Sequence, residues 1–509
     1  MIIFLSFLCF LCFLPIFIVS LLFLELSKLL KPKLPSGQDN LPPGPTCIPF
    51  MAVLQSFNQK SHSLFRGLCQ KYGPVMLIRF GMESMDILVI SSKEAAEEYH
   101  EGCSRPETVG SHLFSYNCED SGSAPSGERE EWETSRYRTM IKLLNTKTQS
   151  FRYIREREID LFVKKLSECA ARRSPVNLTK TLFTLVSNMT FRVLSGQNLQ
   201  ECKFIDDDSI AELVKRFDMI TEYFSFPEML PYGFGWLIDR IWGPSKRSRK
   251  AFSELRTFFE SILDDRLNSG EMVLENMDII DLMIDMIRKQ EKDIDSIKLT
   301  TEYLKTIITE MFLAQVNTSV TALVWAMAEL IGNPRVMKQV QDEIRTTLGD
   351  KKERITEDDL DQLHYLKLVV KETFRLHPSV PVLPPSGASR DKIQGYDIPK
   401  EALIMINVYG IARDPKVWTD PDEFNPDRFS NSSLDYKGLE FELLPVGSGK
   451  IICPEMRMAT VELALVNLLY FFDWGLPHGK RAKDMDLEET GIITLSKKTA
   501  LDLVPVLHH

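Results

Sequence analysis

Residues 302–331 are apolar with helical periodicity on nearly every face, and this segment constrains the fold more than any other. As a helix it would be about 45 Å long. A helix that is apolar all round is stable only when other elements surround it, so we expect it to run buried through the middle of a large domain. Gly332 and Pro334 should end it.

The rest of the chain is also mainly helical. Helical periodicity covers most of residues 92–376, where the clearest other helices are predicted at 149–170, 178–195, 247–268, 276–289 and 335–348. A last apolar helix is predicted at 456–472. Strands are predicted at Val75–Phe80 and Asp86–Ile90, as a hairpin, and within 393–408 and 490–506. No repeat or long linker interrupts residues 50–509. We therefore predict a mainly α fold (α+β), with one large helical domain that carries small β-sheets.

The N-terminus predicts a membrane anchor. Residues 1–24 contain no charged side chain, and as a helix they would span about 36 Å, enough for a hydrocarbon core of about 30 Å. A secretory signal peptide is the alternative, but the apolar run is longer than usual, no Lys or Arg precedes it and no cleavage pattern follows. Lys28, Lys31 and Lys33 come next, so the N-terminus should face the lumen and the rest the cytosol. Residues 25–49 form a Lys- and Pro-rich linker.

Charge and cysteine content exclude other classes of protein. Lys and Arg number 61 against 71 Asp and Glu, a net charge of −10, which disfavours nucleic acid as a partner. Nine cysteines in 509 residues are too few for a disulfide scaffold. The chain has no HExxH, GxSxG or GxGxxG motif, and Gly447–Lys450 lacks the first Gly and the final Ser or Thr of a phosphate loop.

Three motifs stand in a fixed order near the C-terminus: Lys371–Pro378, Phe424–Phe429 and Phe441–Pro454. In this order they resemble the haem-thiolate monooxygenases, the cytochrome P450 superfamily. Ile393–Pro399 and Asn467–Trp474 look like the plant A-type members, family 71 and its B subfamily. The resemblance covers essentially the whole chain, and it implies the cytochrome P450 fold, haem b as cofactor and electrons from NADPH through NADPH-cytochrome P450 reductase.

Within this resemblance Cys453 matches the axial ligand of the haem iron. It follows a loop that contains Gly449 and precedes a helix, whose amide dipoles would stabilise a thiolate. A thiolate ligand pushes electron density toward bound oxygen and favours O–O cleavage. A single cysteine is by itself more often an inert buried thiol, so the assignment depends on the flanking motifs.

Other family positions follow from the resemblance. Arg136 matches the residue that contacts a haem propionate and Trp132 the residue packed beside it, although an amphipathic surface helix would also explain this pair. Ala314, Asn317 and Thr318 occupy the oxygen-binding stretch of the long helix, where Thr318 would orient dioxygen and position 317 would carry protons. Further candidates, Glu372, Arg375 and Arg428, match the buried charge network that fixes the cysteine loop; Glu372 and Arg375 alone would only suggest a surface ion pair.

The chain departs from the family pattern at several of these positions. Gln315 replaces a Gly and is expected to bring a bulky amide into the oxygen space, while Asn317 replaces an acid and cannot titrate as a carboxylate does. Around the cysteine, Val446, Ile451 and Glu455 replace Phe, Arg and Gly. The missing Arg at 451 is expected to weaken haem binding by roughly 1.5–3 kcal/mol. Pro385–Gly387 stands where Pro-Arg-Glu is expected, and Met456–Val461 looks a couple of residues short.

The resemblance therefore predicts an endoplasmic-reticulum monooxygenase, single-pass and with a cytosolic catalytic domain, that oxidises a small plant metabolite with O2. The alternative is a catalytically inactive pseudoenzyme with weakened or absent haem binding. By family position, substrate contacts are expected near Ser111–Cys118, Phe204–Phe226, Met311–Gln315 and Val380–Leu383. The reductase would dock on a basic helical face formed by Arg136, Arg138, Lys142 and Lys147. A helix that is simply exposed to solvent would explain these charges equally well.

Overall fold

The long apolar segment forms one helix, and the other elements pack around it. A computed structural model of the protein describes residues 40–45, 61–80, 85–102, 148–199, 244–269, 277–290, 301–349, 352–383, 386–387, 391–399, 402–434, 440–444, 455–491 and 494–508. The membrane anchor predicted at 1–24 lies outside these ranges, as does the linker apart from 40–45.

The predicted helices are present, most of them within a few residues of the expected bounds. In chain order they are α1 (Ser61–Tyr72), α2 (Lys93–Gly102), α3 (Arg152–Ala171), α4 (Leu178–Ser195), α5 (Pro244–Ser269), α6 (Ile279–Gln290), α7 (Thr301–Gly332), α8 (Pro334–Leu348), α9 (His364–Leu376), α10 (Val408–Ile411) and α11 (Glu455–Phe471). The short helix α10 lies at the end of the region predicted as strand, because the side chain of Asn407 accepts a hydrogen bond from the amide of Gly410 and starts a helical turn.

Small sheets complete the fold, as predicted. Their strands are β1 (Val75–Phe80), β2 (Met85–Ile90), β3 (Val176–Asn177), β4 (Ser386–Gly387), β5 (Lys392–Ile393), β6 (Tyr396–Asp397), β7 (Leu403–Ile406), β8 (Phe472–Gly475), β9 (Glu489–Thr490), β10 (Ser496–Lys497) and β11 (Asp502–Leu507). One sheet has the order β1-β2-β7-β4, and a second has the order β3-β11-β8. The predicted β1–β2 hairpin is antiparallel, whereas β2 and β7 are parallel.

Helix α7 lies in the middle of the largest core cluster, as its sequence predicted. Trp325, Leu323 and Met327 are completely buried in it. Within the described residues, Leu304–Gly332 is the only stretch long and apolar enough to cross a membrane, and 83% of its most apolar window is buried inside the protein. Helix α7 is therefore a core helix, and α4, α11, α5 and α9 pack against it.

Helix α4 shows how local sequence sets the ends of these elements. At its start the Asn177 side chain accepts a hydrogen bond from the amide of Lys180, so one of the unpaired amides of the first turn is satisfied. At its end Gly196 adopts a left-handed conformation with φ of 69°, and its amide bonds to Arg192 O. A residue with a Cβ is strained in this conformation, so glycine is the residue that ends the helix at least cost.

Candidate functional site

The middle of helix α7 has an open face one turn long. Ala314 is exposed and Thr318 is half-buried, although the residues before and after this turn are buried. The Thr318 hydroxyl donates a hydrogen bond of 2.8 Å to Ala314 O, so both residues point to the same side of the helix. A small side chain next to a hydroxyl gives this face room for a planar group and one proton-bearing oxygen.

Gln315 lies beside this open face and does not project into it, contrary to the expectation from the sequence. Successive residues of a helix are rotated by about 100°, so positions 314 and 318 share one face and positions 315 and 319 share the next. Gln315 is 6% exposed, and its amide is 3.4 Å from the hydroxyl of the fully buried Ser319. The bulk of Gln315 is thus accommodated within the helix packing.

Asn317 joins the open face to the C-terminal part of the chain. Its side-chain amide lies 3.4 Å from the Thr494 hydroxyl, a long contact for a hydrogen bond, and Thr494 is 6% exposed. Ser379 adds a second link, since its hydroxyl donates to Thr318 O at 3.0 Å and its carbonyl accepts from the amide of Leu495 at 3.1 Å. The segment that Ser379 opens was expected to contact substrate at Val380–Leu383, and the structure places its start against Thr318.

Three side chains predicted as a charge network, Glu372, Arg375 and Arg428, lie together. Arg375 donates to both carboxylate oxygens of Glu372, at 2.7 and 2.9 Å, and Arg428 donates to Glu372 at 3.0 Å. Glu372 and Arg375 are completely buried. The position of Arg375 is fixed further by hydrogen bonds to the carbonyls of Ala412, Pro421 and Glu423.

This network fixes the segment that leads toward the predicted cysteine loop. Arg375 and Arg428 between them bond the backbone carbonyls of five residues between 412 and 423, so that segment is held against α9. Trp418 and Phe429 of this region pack with Leu443, and Leu444 is also buried. On the other side of the loop, α11 begins at Glu455, and Met456 is 4% exposed. The described residues on both flanks of Cys453 are thus firmly packed.

The residues predicted to hold haem directly lie outside the described residues: Trp132, Arg136, Gly449 and Cys453. The same applies to Val446, Ile451, Pro385, the basic face and the substrate positions at 111–118 and 204–226. Of the other departures, Glu455 is the first residue of α11, and Ser386 and Gly387 form β4, which pairs with β7. The described residues that bear on haem, Ala314 and Thr318, fit it, because they give a flat porphyrin a face of small side chains.

The structure also shows residues of the site that the sequence did not reveal. Thr494 contacts Asn317 and Ser379 contacts Thr318, yet no spacing or motif singles out either hydroxyl among the many Ser and Thr residues of the chain. Trp325 lies three turns along the apolar helix and donates its indole N–H to Leu495 O at 2.6 Å. Only a buried tryptophan's need for an acceptor could have suggested that such a partner exists.

Comparison with known proteins agrees with these features. The profile of the family described as Cytochrome P450 matches residues 42–503. Cytochrome P450 71B7 of Arabidopsis thaliana is 57% identical over 504 residues, which are 97% of this chain and 98% of that protein. A bifunctional dihydrocamalexate synthase/camalexin synthase of the same plant is 46% identical over 503 residues, 97% of this chain and 100% of that protein.

Solved structures resemble this chain in fold. A zebra fish cytochrome P450 solved with abiraterone has a TM-score of 0.66 and 21% identity, and the match covers 88% of this chain and 100% of that one. A zebra fish cytochrome P450 solved with progesterone also gives a TM-score of 0.66, at 23% identity, and the match covers 88% of this chain and 99% of that one. At this sequence identity the match supports a similarity of fold only, and it agrees with a mainly helical protein that has small sheets.

Proposed function

The chain belongs to the cytochrome P450 family, and from that premise we propose that it is a haem-thiolate monooxygenase that inserts one atom of O2 into a small organic metabolite. The observation that carries the proposal is the open face at Ala314 and Thr318 in an otherwise buried helix. One relative is named for the synthesis of dihydrocamalexate and camalexin, which supports a plant metabolite as the class of substrate.

In this proposal Cys453 provides the thiolate ligand of haem b, and Trp132 and Arg136 hold a propionate. The haem, when bound, supplies the binding and reductive activation of O2. The described residues shape the open face that would border it. Ala314 leaves room, Thr318 presents a hydroxyl at 2.8 Å from Ala314 O, and that hydroxyl can donate its proton toward the open face after rotation.

Asn317 stands where the family has an acid, and an amide is not a general acid. General acid–base assistance typically contributes 10²–10⁴-fold, so proton delivery in this chain would depend on Thr318 and on water. We expect slower turnover and more loss of reducing equivalents to hydrogen peroxide than in a variant that carries an acid at this position.

We further propose that residues 1–24 anchor the protein in the endoplasmic reticulum membrane, with residues 50–509 in the cytosol. Such an orientation would give NADPH-cytochrome P450 reductase access to the catalytic domain. The basic face at Arg136, Arg138, Lys142 and Lys147 is the proposed docking surface, since charge complementarity favours encounter with an acidic partner.

The direct test is a spectrum of the full-length protein in detergent, loaded with haem, reduced and exposed to carbon monoxide. We expect the red-shifted Soret band that a thiolate ligand produces. Cys453→Ser should abolish this band. Cys69→Ser should leave it unchanged, because this half-buried cysteine is far from Cys453 in the sequence. A protein that takes up no haem, or whose band is that of a neutral ligand, would overturn the proposal and favour the inactive alternative.

The departures at Ile451 and Glu455 allow a second test. Restoring the family residues in the double variant Ile451→Arg and Glu455→Gly should raise the fraction of haem retained during gel filtration by about 10-fold or more, since one charge-assisted contact is worth roughly 1.5–3 kcal/mol. Unchanged retention would show that these two positions do not limit haem binding.

A further inference from the structure

Five elements meet at a buried group of side chains that the proposed function does not use. We call it the carboxylate–imidazole cluster, and it consists of Glu329, His377, Glu489, His62 and Tyr409. They come respectively from α7, the end of α9, β9, α1 and α10. His62, Glu329 and His377 are each less than 5% exposed.

His377 lies between two carboxylates. Its Nε2 is 2.7 Å from Glu329 Oε1, and its Nδ1 is 3.1 Å from Glu489 Oε1. An ionised carboxylate only accepts hydrogen bonds, so both ring nitrogens can be satisfied together only when the imidazole carries both protons or when one carboxyl group is protonated. The His377 ring thus links the carboxylates of Glu329 and Glu489.

Glu489 is the centre of the cluster. Its Oε2 is 3.2 Å from both His62 Nε2 and the Tyr409 hydroxyl, and Arg413 lies 3.8 Å from its Oε1. Burial raises the pKa of Glu489, but hydrogen bonds from His377 and His62 outweigh it and leave that pKa well below its ordinary range. Burial also raises the pKa of Tyr409 to about 12, so its hydroxyl remains a donor. Glu489 is thus an ionised carboxylate that accepts from several elements.

Among the described residues, β9 pairs with a single strand. Its hairpin partner β10 pairs with it only through Ser496 with Thr490 and Lys497 with Glu489. A two-stranded ribbon of this length is not stable by itself. The position of the β9–β10 hairpin must therefore come from its contacts with the rest of the protein, and the cluster supplies those at Glu489.

The far end of the hairpin reaches the open face of α7. Trp325 stacks on His377 with ring centroids 3.8 Å apart and in parallel planes, and its indole N–H bonds Leu495 O at 2.6 Å. Thr494, the residue immediately before Leu495, lies 3.4 Å from the Asn317 side-chain amide. One continuous set of contacts thus runs from Glu489 through His377 and Trp325 to the hairpin segment beside Asn317.

We propose that Glu489 is a positioning residue for the substrate space: together with His377 it fixes the β9–β10 hairpin, so that Thr494 stays against Asn317 at the edge of the open face. The part that concerns bound ligands rests on the proposed monooxygenase function. A cluster with a merely structural role would stabilise the protein without setting the width of this space.

Hydrogen–deuterium exchange of the full-length chain tests the anchoring without any cofactor. In Glu489→Gln, amides of residues 489–498 should exchange about 10-fold faster or more, since a hydrogen bond to a charged group is lost, while peptides from α3 stay unchanged. The matched control is Glu488→Gln, which removes the neighbouring carboxylate from an exposed pair with Lys498. Equal exchange in Glu489→Gln and wild type would overturn the proposal.

Binding of two haem-coordinating probes tests the effect on the open face. Imidazole is small, whereas 4-phenylimidazole needs space beside the iron. In Glu489→Gln the ratio of their dissociation constants should change by about 10-fold, and in Glu488→Gln it should not change. Faster exchange with an unchanged ratio would show a structural role only and would overturn the proposal.

A milder variant keeps the test decisive if Glu489→Gln fails to fold. Tyr409→Phe removes one hydroxyl from Glu489 and retains the ring, and we expect the same two changes at about fivefold. No effect in Tyr409→Phe would then overturn the proposal. Failure of every variant and the wild type to take up haem would count against the monooxygenase function, and the exchange rates would still decide whether Glu489 fixes the hairpin.

Discussion

Replacing Glu372 by Gln should destabilise the protein strongly, because two arginines depend on its charge. Arg375 is completely buried and bonds both carboxylate oxygens, and Arg428 bonds one of them. A Gln side chain presents one acceptor oxygen and an NH2 group with two N–H donors, so one of these bonds would become a clash of donors and the cationic charge would be left uncompensated. Removing one partner of a buried ion pair typically costs about 3–5 kcal/mol, a large share of an ordinary stability of about 5–15 kcal/mol.

The assay is urea unfolding of the full-length chain, followed by far-ultraviolet circular dichroism and by tryptophan fluorescence. The midpoint for Glu372→Gln should fall clearly in both signals. Asp160→Asn is the matched control, since its carboxylate pairs with Arg354 at the surface and exposed pairs contribute about 1 kcal/mol or less. If Glu372→Gln lost no more stability than Asp160→Asn, the network would not hold the segment before the cysteine loop as described.

Three further predictions concern other sites. Asn317→Asp should raise the rate of product formation by at most the 10²–10⁴-fold that acid–base assistance contributes, and should also raise the product formed per NADPH consumed; if neither changed, the role given to this position would be contradicted. Gly196→Ala should cost about 1–2 kcal/mol in urea unfolding, because its φ of 69° is left-handed, whereas Gly67→Ala, in open helical surroundings, should stabilise by about 0.5–1 kcal/mol. Burial lowers the pKa of His100 below 6.5, so the unfolded state binds its proton more readily and stability falls as the pH drops below 6.5. His100→Phe should lose less stability than wild type between pH 7.5 and 5.5, and His364→Gln, at an exposed position, should behave as wild type.

The fold was predictable because its strongest signals are local. The all-round apolar helix α7 and the 178–195 periodicity depend on which residues follow each other, and burial of apolar surface then dictates their place. The hairpin of β1 and β2 followed from two β-branched runs separated by a short polar segment. The pairing of β2 with β7 was not predictable, because the two strands are more than 300 residues apart and no local pattern links them.

The site was predictable only as far as family motifs reach. Those motifs named Glu372, Arg375 and Arg428, which bond to one another in the structure, whereas the assignments of Cys453 and its haem contacts stay predictions. The expectation for Gln315 was wrong because residue size was considered without helix rotation, which turns position 315 away from the open face. Thr494 could not be identified, because its contact with Asn317 depends on a hairpin placed by tertiary interactions.

The second sheet has a consequence for biosynthesis. Strand β11 lies between β3 and β8, and pairs Asp502 with Asn177 and Leu507 with Phe472. The ribosome makes β3 more than 300 residues before β11. The helices on either side of β3, α3 and α4, therefore stay without this strand pairing until β11 leaves the exit tunnel. During that interval their apolar surfaces are available to chaperones, and a nascent chain that stalls before residue 502 would present them to quality control.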